Sequence, residues 1–165
     1  MTYFITFSCY GARLHGDERG SVDKDHHLYG GRMVNANLRW RGDSQKRLRH
    51  APYTLDASRR KVVLQAIIES CAYRGWRLIA AHVRTNHVHV VMDADQRPES
   101  VMTTLKAYAS RALAKVDPRE IQRWSRHGST RYLWGPDQID AVVGYVISGQ
   151  GEAMEVYETP VHSAH

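Results

Sequence analysis

The 165 residues carry 23 Lys and Arg against 17 Asp and Glu, for a formal charge of +6. The length suits one domain with a real core, and a mean hydropathy of −0.51 without any long apolar run excludes a helical membrane span. The basic balance favours a polyanionic partner such as nucleic acid; two isolated cysteines, Cys9 and Cys71, lack metal or redox spacing and suit a reduced, cytoplasmic protein.

Thr2 to Tyr10 is rich in β-branched and aromatic residues and reads as a strand beginning almost at the first residue. From Gly11 to about Tyr53 the pattern breaks down into a long basic insert punctuated by glycines. Its second half holds Arg39-Trp40-Arg41 and then Lys46, Arg47 and Arg49. Cations for phosphates beside a flat ring for stacking a base suit a nucleic-acid strand; the alternative is a solvated loop with Trp40 tucked against the core.

Helical periodicity takes over near Asp56, with Leu64, Ile67, Ile68 and Cys71 on one face and Gly75 as the natural stop. Trp76 to Val83 is the next strand, followed by a turn at Thr85-Asn86 and a strand carrying His87 and His89. Side chains two apart on a strand share a face, so both imidazoles project together while Val88 and Val90 point into a core. Two imidazoles so placed can converge on one divalent cation, though the spacing alone equally describes the polar face of a half-buried strand.

Pro98 suits the first turn of a further helix, with Met102, Leu105, Ala109, Ala112 and Leu113 as its buried stripe and Pro118 beyond its end. Lys106 and Arg111 lie on its other faces, as DNA contacts or as a solvated surface. Glu120 to Arg131 reads as a basic connector containing Arg123, Trp124, Arg126, His127 and Arg131, and Tyr132 to Trp134 as a short edge strand. Gly135-Pro136-Asp137 launches a last helix with Ile139, Val142, Val143 and Val146 on one face and Tyr145 on its flank. Gly149-Gln150-Gly151 closes it, and a short strand or loose tail follows. The element order predicts an α+β fold of the ferredoxin-like split βαβ type, with an antiparallel sheet, helices on one face and a C-terminal tyrosine-bearing helix.

Asn86-His87-Val88-His89-Val90-Val91 and Gly144-Tyr145-Val146-Ile147, in this order and with a helix between them, resemble the two signatures of the single-tyrosine HUH transposases, the insertion-sequence-200-like and REP-associated tyrosine enzymes. The likeness runs from about Met1 to Tyr157, which makes residues 1–157 one domain with the 11–53 insert and 158–165 a tail. It implies that His87 and His89 hold Mg²⁺ or Mn²⁺ against a scissile phosphate of single-stranded, hairpin-containing DNA, and that Tyr145 attacks to leave a 5′-phosphotyrosine. Arg39, Trp40, Arg41, Lys46, Arg47, Arg49, Lys106, Arg111, Arg123 and Arg126 are then candidate DNA contacts. Relatives act as monomers or as homodimers, some of which share active sites between subunits.

One position departs from the pattern. The family places a Gln or Asn ligand four residues after the tyrosine, where this chain has Gly149; Gln150 is the preferred substitute, with Glu152 and His82 as alternatives. A histidine-triad nucleotide hydrolase would need a third histidine where Val91 stands. A non-catalytic nucleic-acid-binding module accounts for the charge and the missing ligand without chemistry.

Overall fold

In β1 (Thr2–Cys9), Tyr3, Ile5, Phe7 and Cys9 alternate with Phe4, Thr6 and Ser8, so one strand serves two different faces. The computed structural model describes residues 1–12, 21–22, 33–34 and 51–160. The insert's candidate DNA contacts, Arg39, Trp40, Arg41, Lys46, Arg47 and Arg49, fall outside the described residues. Within the insert, β2 (Ser21–Val22) and β3 (Met33–Val34) pair antiparallel as a ladder of their own.

Helix α1 (Ala57–Arg74) begins where Asp56 accepts the Arg59 N–H at 2.9 Å, and it stops at Gly75, whose φ of 70° is the left-handed conformation that glycine adopts without strain. A hairpin of β4 (Arg77–Val83) and β5 (His87–Asp93) follows. Pro98 occupies the first turn of α2 (Pro98–Val116), which ends before Asp117, a residue that Pro118 biases away from helical backbone. Next come β6 (Trp124–Leu133), α3 (Pro136–Ser148) and the edge strand β7 (Glu155–Glu158).

The main sheet runs β6-β1-β5-β4-β7, and every neighbouring pair is antiparallel. The β1-α1-β4 and β5-α2-β6 units interleave, as the split βαβ order predicts. Helices α1 and α2 cover one face, closing a core on Ile5, Phe7, Val88, Val90, Ile67 and Leu105. The tyrosine helix α3 lies on the opposite face, where Val142 and Val146 meet Ala80, Val91 and Leu133. A irregular register between Leu78 and Ala80 lets β4 feed both layers.

Strand β6 corrects the expectation of a basic connector followed by a three-residue strand: it spans ten residues, paired with β1 from Gly128 to Leu133 and again at Trp124 beyond a register shift. Its charged, polar composition belongs to an edge strand, which natural sheets protect with charge. Trp124 anchors one end, its indole N–H donating to Lys106 O at 3.1 Å and Ser110 Oγ at 2.9 Å. Glycine is required at position 128, where a β-carbon would stand 2.6 Å from Thr6 O and 2.5 Å from Met102 Sδ. At the other edge Glu158 pairs with Ala80 and the Thr159 N–H donates to Ile79 O at 2.9 Å, so the chain stays on the sheet through Thr159.

Candidate active site

Register decides what surrounds the histidines. Across β5, His87 stands opposite Ser8 and His89 opposite Thr6, and on the other side His89 pairs with His82. Paired residues of an antiparallel ladder share a face, and for all of these it is the face that carries α3. The His87 and His89 rings lie 4.8 Å apart between centroids and nearly perpendicular. The Tyr145 ring is 6.0 Å from that of His89, and Phe4 is stacked on His89 at 5.7 Å and edge-on to Tyr145 at 6.3 Å. The two candidate ligands and the candidate nucleophile thus meet within one subunit.

Each imidazole is oriented through Nδ1. Asn86 Oδ1 lies 2.8 Å from His87 Nδ1, and an amide oxygen only accepts, so the ring donates there and would ligate through Nε2. Thr6 Oγ1 lies 2.8 Å from His89 Nδ1 in a buried hydrogen bond, in which the hydroxyl can serve as donor or acceptor. Imidazole nitrogens can ligate a divalent cation, and among the described residues no group of three or more His, Cys, Asp and Glu gathers that could hold one.

The family model described as "Transposase IS200 like" matches residues 49–146, more than half of the chain. The chain belongs to the IS200-like transposase family. No curated protein sequence matches it. A solved structure of a REP-associated tyrosine transposase bound to a REP hairpin aligns at 12 % identity and a TM-score of 0.48, over 88 % of this chain and 64 % of that one. The chain therefore spans just under two thirds of that protein's length.

Gln150, Glu152 and His82 are the three residues that the resemblance offers as a ligand in place of Gly149. His82 is fully buried with both nitrogens engaged: Nδ1 donates to Val146 O at 2.8 Å and Nε2 accepts the Met154 N–H at 3.0 Å. Burial foremost, and then the Arg84 guanidinium, lower its pKa against the opposing pull of the Val146 bond, which keeps the ring neutral. Gln150 donates through Nε2 to the same carbonyl at 3.0 Å. Val146 O is one of the last four carbonyls of α3, which need partners from outside the helix. His82 and Gln150 supply them: the His82 bond, from β4, holds the tyrosine helix to the sheet one residue after Tyr145, and the Gln150 bond closes the helix end. Glu152 is exposed.

Gly149 has its own constraint. Its N–H donates to Tyr145 O at 2.8 Å, and a β-carbon there would stand 2.9 Å from the Cα, Cδ2 and O atoms of Tyr145. Position 149 is thus the glycine against which the helix turn of Tyr145 closes.

The basic candidates separate into two groups. Lys106 packs under the sheet on the α2 side, its ammonium donating to Ser125 O at 3.0 Å, and burial lowers its pKa. Arg123 is buried, with Nη2 donating to Asp117 O at 2.6 Å. Arg111 is exposed and stacks over Tyr108 at 4.5 Å, and Arg126 is exposed on β6. Sequence reasoning did not single out Phe4 and Thr6. The one available signal was the alternation of Thr6 and Ser8 with Ile5, Phe7 and Cys9, which marks a polar face without naming its neighbours.

Proposed function

We propose that this transposase-family chain cleaves and rejoins single-stranded DNA through a 5′-phosphotyrosine at Tyr145, with His87 and His89 holding Mg²⁺ or Mn²⁺. The observation that supports it best is the 6.0 Å between the His89 and Tyr145 rings, with His87 directly beside His89. Gln150, through Oε1, is the proposed third ligand. When bound, the cation would withdraw charge from the oxygens of the scissile phosphate.

Tyr145 Oη attacks phosphorus; the P–Oη bond forms as the P–O3′ bond breaks. The phenol proton leaves to water and the departing 3′ oxygen takes one up, so the step is proton-neutral. The phosphotyrosine retains the energy of the broken diester, and a second 3′-hydroxyl reverses the step and joins strands without a nucleotide cofactor. Thr6 and Asn86 keep the imidazoles in the ligating orientation, and His82 keeps α3 seated. Phosphate contacts come from Arg111 and Arg126 together with the insert's basic cluster, on single-stranded or hairpin-containing DNA. The protein is proposed to act in the cytoplasm, alone or as a homodimer; no helix among the described residues is long and apolar enough to cross a membrane.

Glycine at position 149 favours one second reading, a DNA-binding module of this fold without chemistry. Incubation with 5′- and 3′-labelled single-stranded oligonucleotides separates the two. A covalent adduct that requires Mg²⁺ or Mn²⁺ and disappears in Tyr145→Phe and His87→Ala supports the enzyme. Binding without an adduct under any cation supports the module.

A further inference from the structure

We propose that Arg131 is a phosphate-binding residue of this site, holding a non-bridging oxygen of the DNA strand seated beside Tyr145. The inference deepens the reading above and rests on it. Arg131 lies on β6 directly opposite Phe4, and so on the sheet face that carries the histidines and the tyrosine helix. Phe4 in turn stacks on His89 and meets Tyr145 edge-on, so one aromatic ring separates the guanidinium's strand from the proposed reacting groups. Helix α3 packs mainly across β4 and β5 and reaches the β1–β6 side at Leu133 and Phe4.

The side chain itself carries the argument. Arg131 is half-buried, and its Nη1, covered in the DNA-free chain, has no hydrogen-bond partner among the described residues, so a strand meets it once the side chain turns outward. A guanidinium cannot shed its charge, so a buried N–H of this kind calls for an acceptor, and an anionic one most of all. The other buried arginine nitrogens in that condition, on Arg59, Arg60 and Arg123, are all Nε atoms, whereas Arg131 offers a terminal nitrogen at the end of its fork. The substrate class proposed for this face is a chain of phosphodiesters. A phosphate oxygen received by Arg131 would fix the strand's register relative to Tyr145 without reading its sequence.

The test measures binding of a single-stranded oligonucleotide to the full chain across a salt series, all in the Tyr145→Phe background so that no chemistry intervenes. Arg131→Ala and Arg131→Lys are compared with Lys61→Ala, which removes an exposed charge from α1 on the opposite face. For Arg131→Ala, affinity at low salt should fall roughly tenfold, and the slope of log K against log salt should become shallower by about 0.7. Arg131→Lys should restore the slope and only part of the affinity, because an ammonium lacks the planar fork. Lys61→Ala should leave both near the parent values. If Arg131→Ala destabilises the fold, Arg131→Lys and Arg131→Gln, compared at equal thermal stability, carry the same comparison. Parent affinity and slope in a folded Arg131→Ala or Arg131→Gln chain would overturn the proposal. The outcome is separable from the catalytic reading: an Arg131-dependent slope with no adduct in the Tyr145-bearing chain would remove the chemistry and keep the phosphate contact.

Discussion

Alanine at Gly149 probes how the end of α3 sets the position of Tyr145. The added β-carbon would stand 2.9 Å from Tyr145 Cα, Cδ2 and O. Non-bonded carbons settle at about 3.5–4.0 Å, so the last turn must open by roughly half an ångström or more. Two of the three atoms are backbone and cannot rotate away. A φ of −90° is open to alanine, so no backbone strain arises, and the stiffer unfolded chain favours the variant by about 0.4–1 kcal/mol. Overpacking opposes this by about 1–3 kcal/mol. Lengthening of the 2.8 Å Gly149–Tyr145 hydrogen bond adds up to about 1 kcal/mol to the cost. The net expectation is a loss of about 1–2 kcal/mol, read from urea denaturation. Because a shift of about 1 Å in a reacting group can slow a reaction on the order of 100-fold, single-turnover adduct formation should fall about 10- to 100-fold with DNA affinity unchanged. A variant as stable as the parent and forming adduct at the parent rate would refute the argument that Gly149 fixes Tyr145.

Other consequences follow from the same contacts. Thr6→Val keeps the side-chain shape and removes the oxygen at His89 Nδ1, so Mn²⁺ affinity measured by calorimetry should drop about 10- to 100-fold; equal affinity would deny Thr6 its orienting part. His82 has a folded pKa below its ordinary value, so the unfolded chain binds that proton first as pH falls. The stability it contributes is therefore complete above the ordinary histidine range and declines below it, by at most about 1.4 kcal/mol per pH unit. His82→Gln should remove that part of the pH dependence of urea midpoints, and an unchanged profile would count against it. Burial pushes both the Cys9 and Cys71 thiols up to about 12, so neither should react with a disulfide reagent at pH 8 until the chain unfolds. Rapid labelling of the native protein would contradict their burial.

The amino-acid sequence by itself determined whatever depends on short-range backbone geometry. Asp56 and Gly75 bound α1, Pro98 and Pro136 open α2 and α3, and the two-residue spacing of His87 and His89 puts both on one face in any strand. Its order of elements was enough for the split βαβ fold. The edge strand β6 was harder to read because solvent on its outer side permits the Arg, His and Ser residues that otherwise mark a loop. Only the tertiary structure decided which residues surround the imidazoles. Thr6 reaches His89 across 83 positions of chain because two strands pair in one register, and a slip of one residue would have sent it to the other face. The same holds for His82, which the seat of α3 on the far face of the sheet brings to the Val146 carbonyl across 64 positions of chain. Gln150 reaches that carbonyl locally, four residues along the end of α3, through Nε2. Helical and strand periods are written locally in the chain, whereas a cross-strand partner is the product of every turn and register shift between the two residues, and that sum exists only once the sheet has closed.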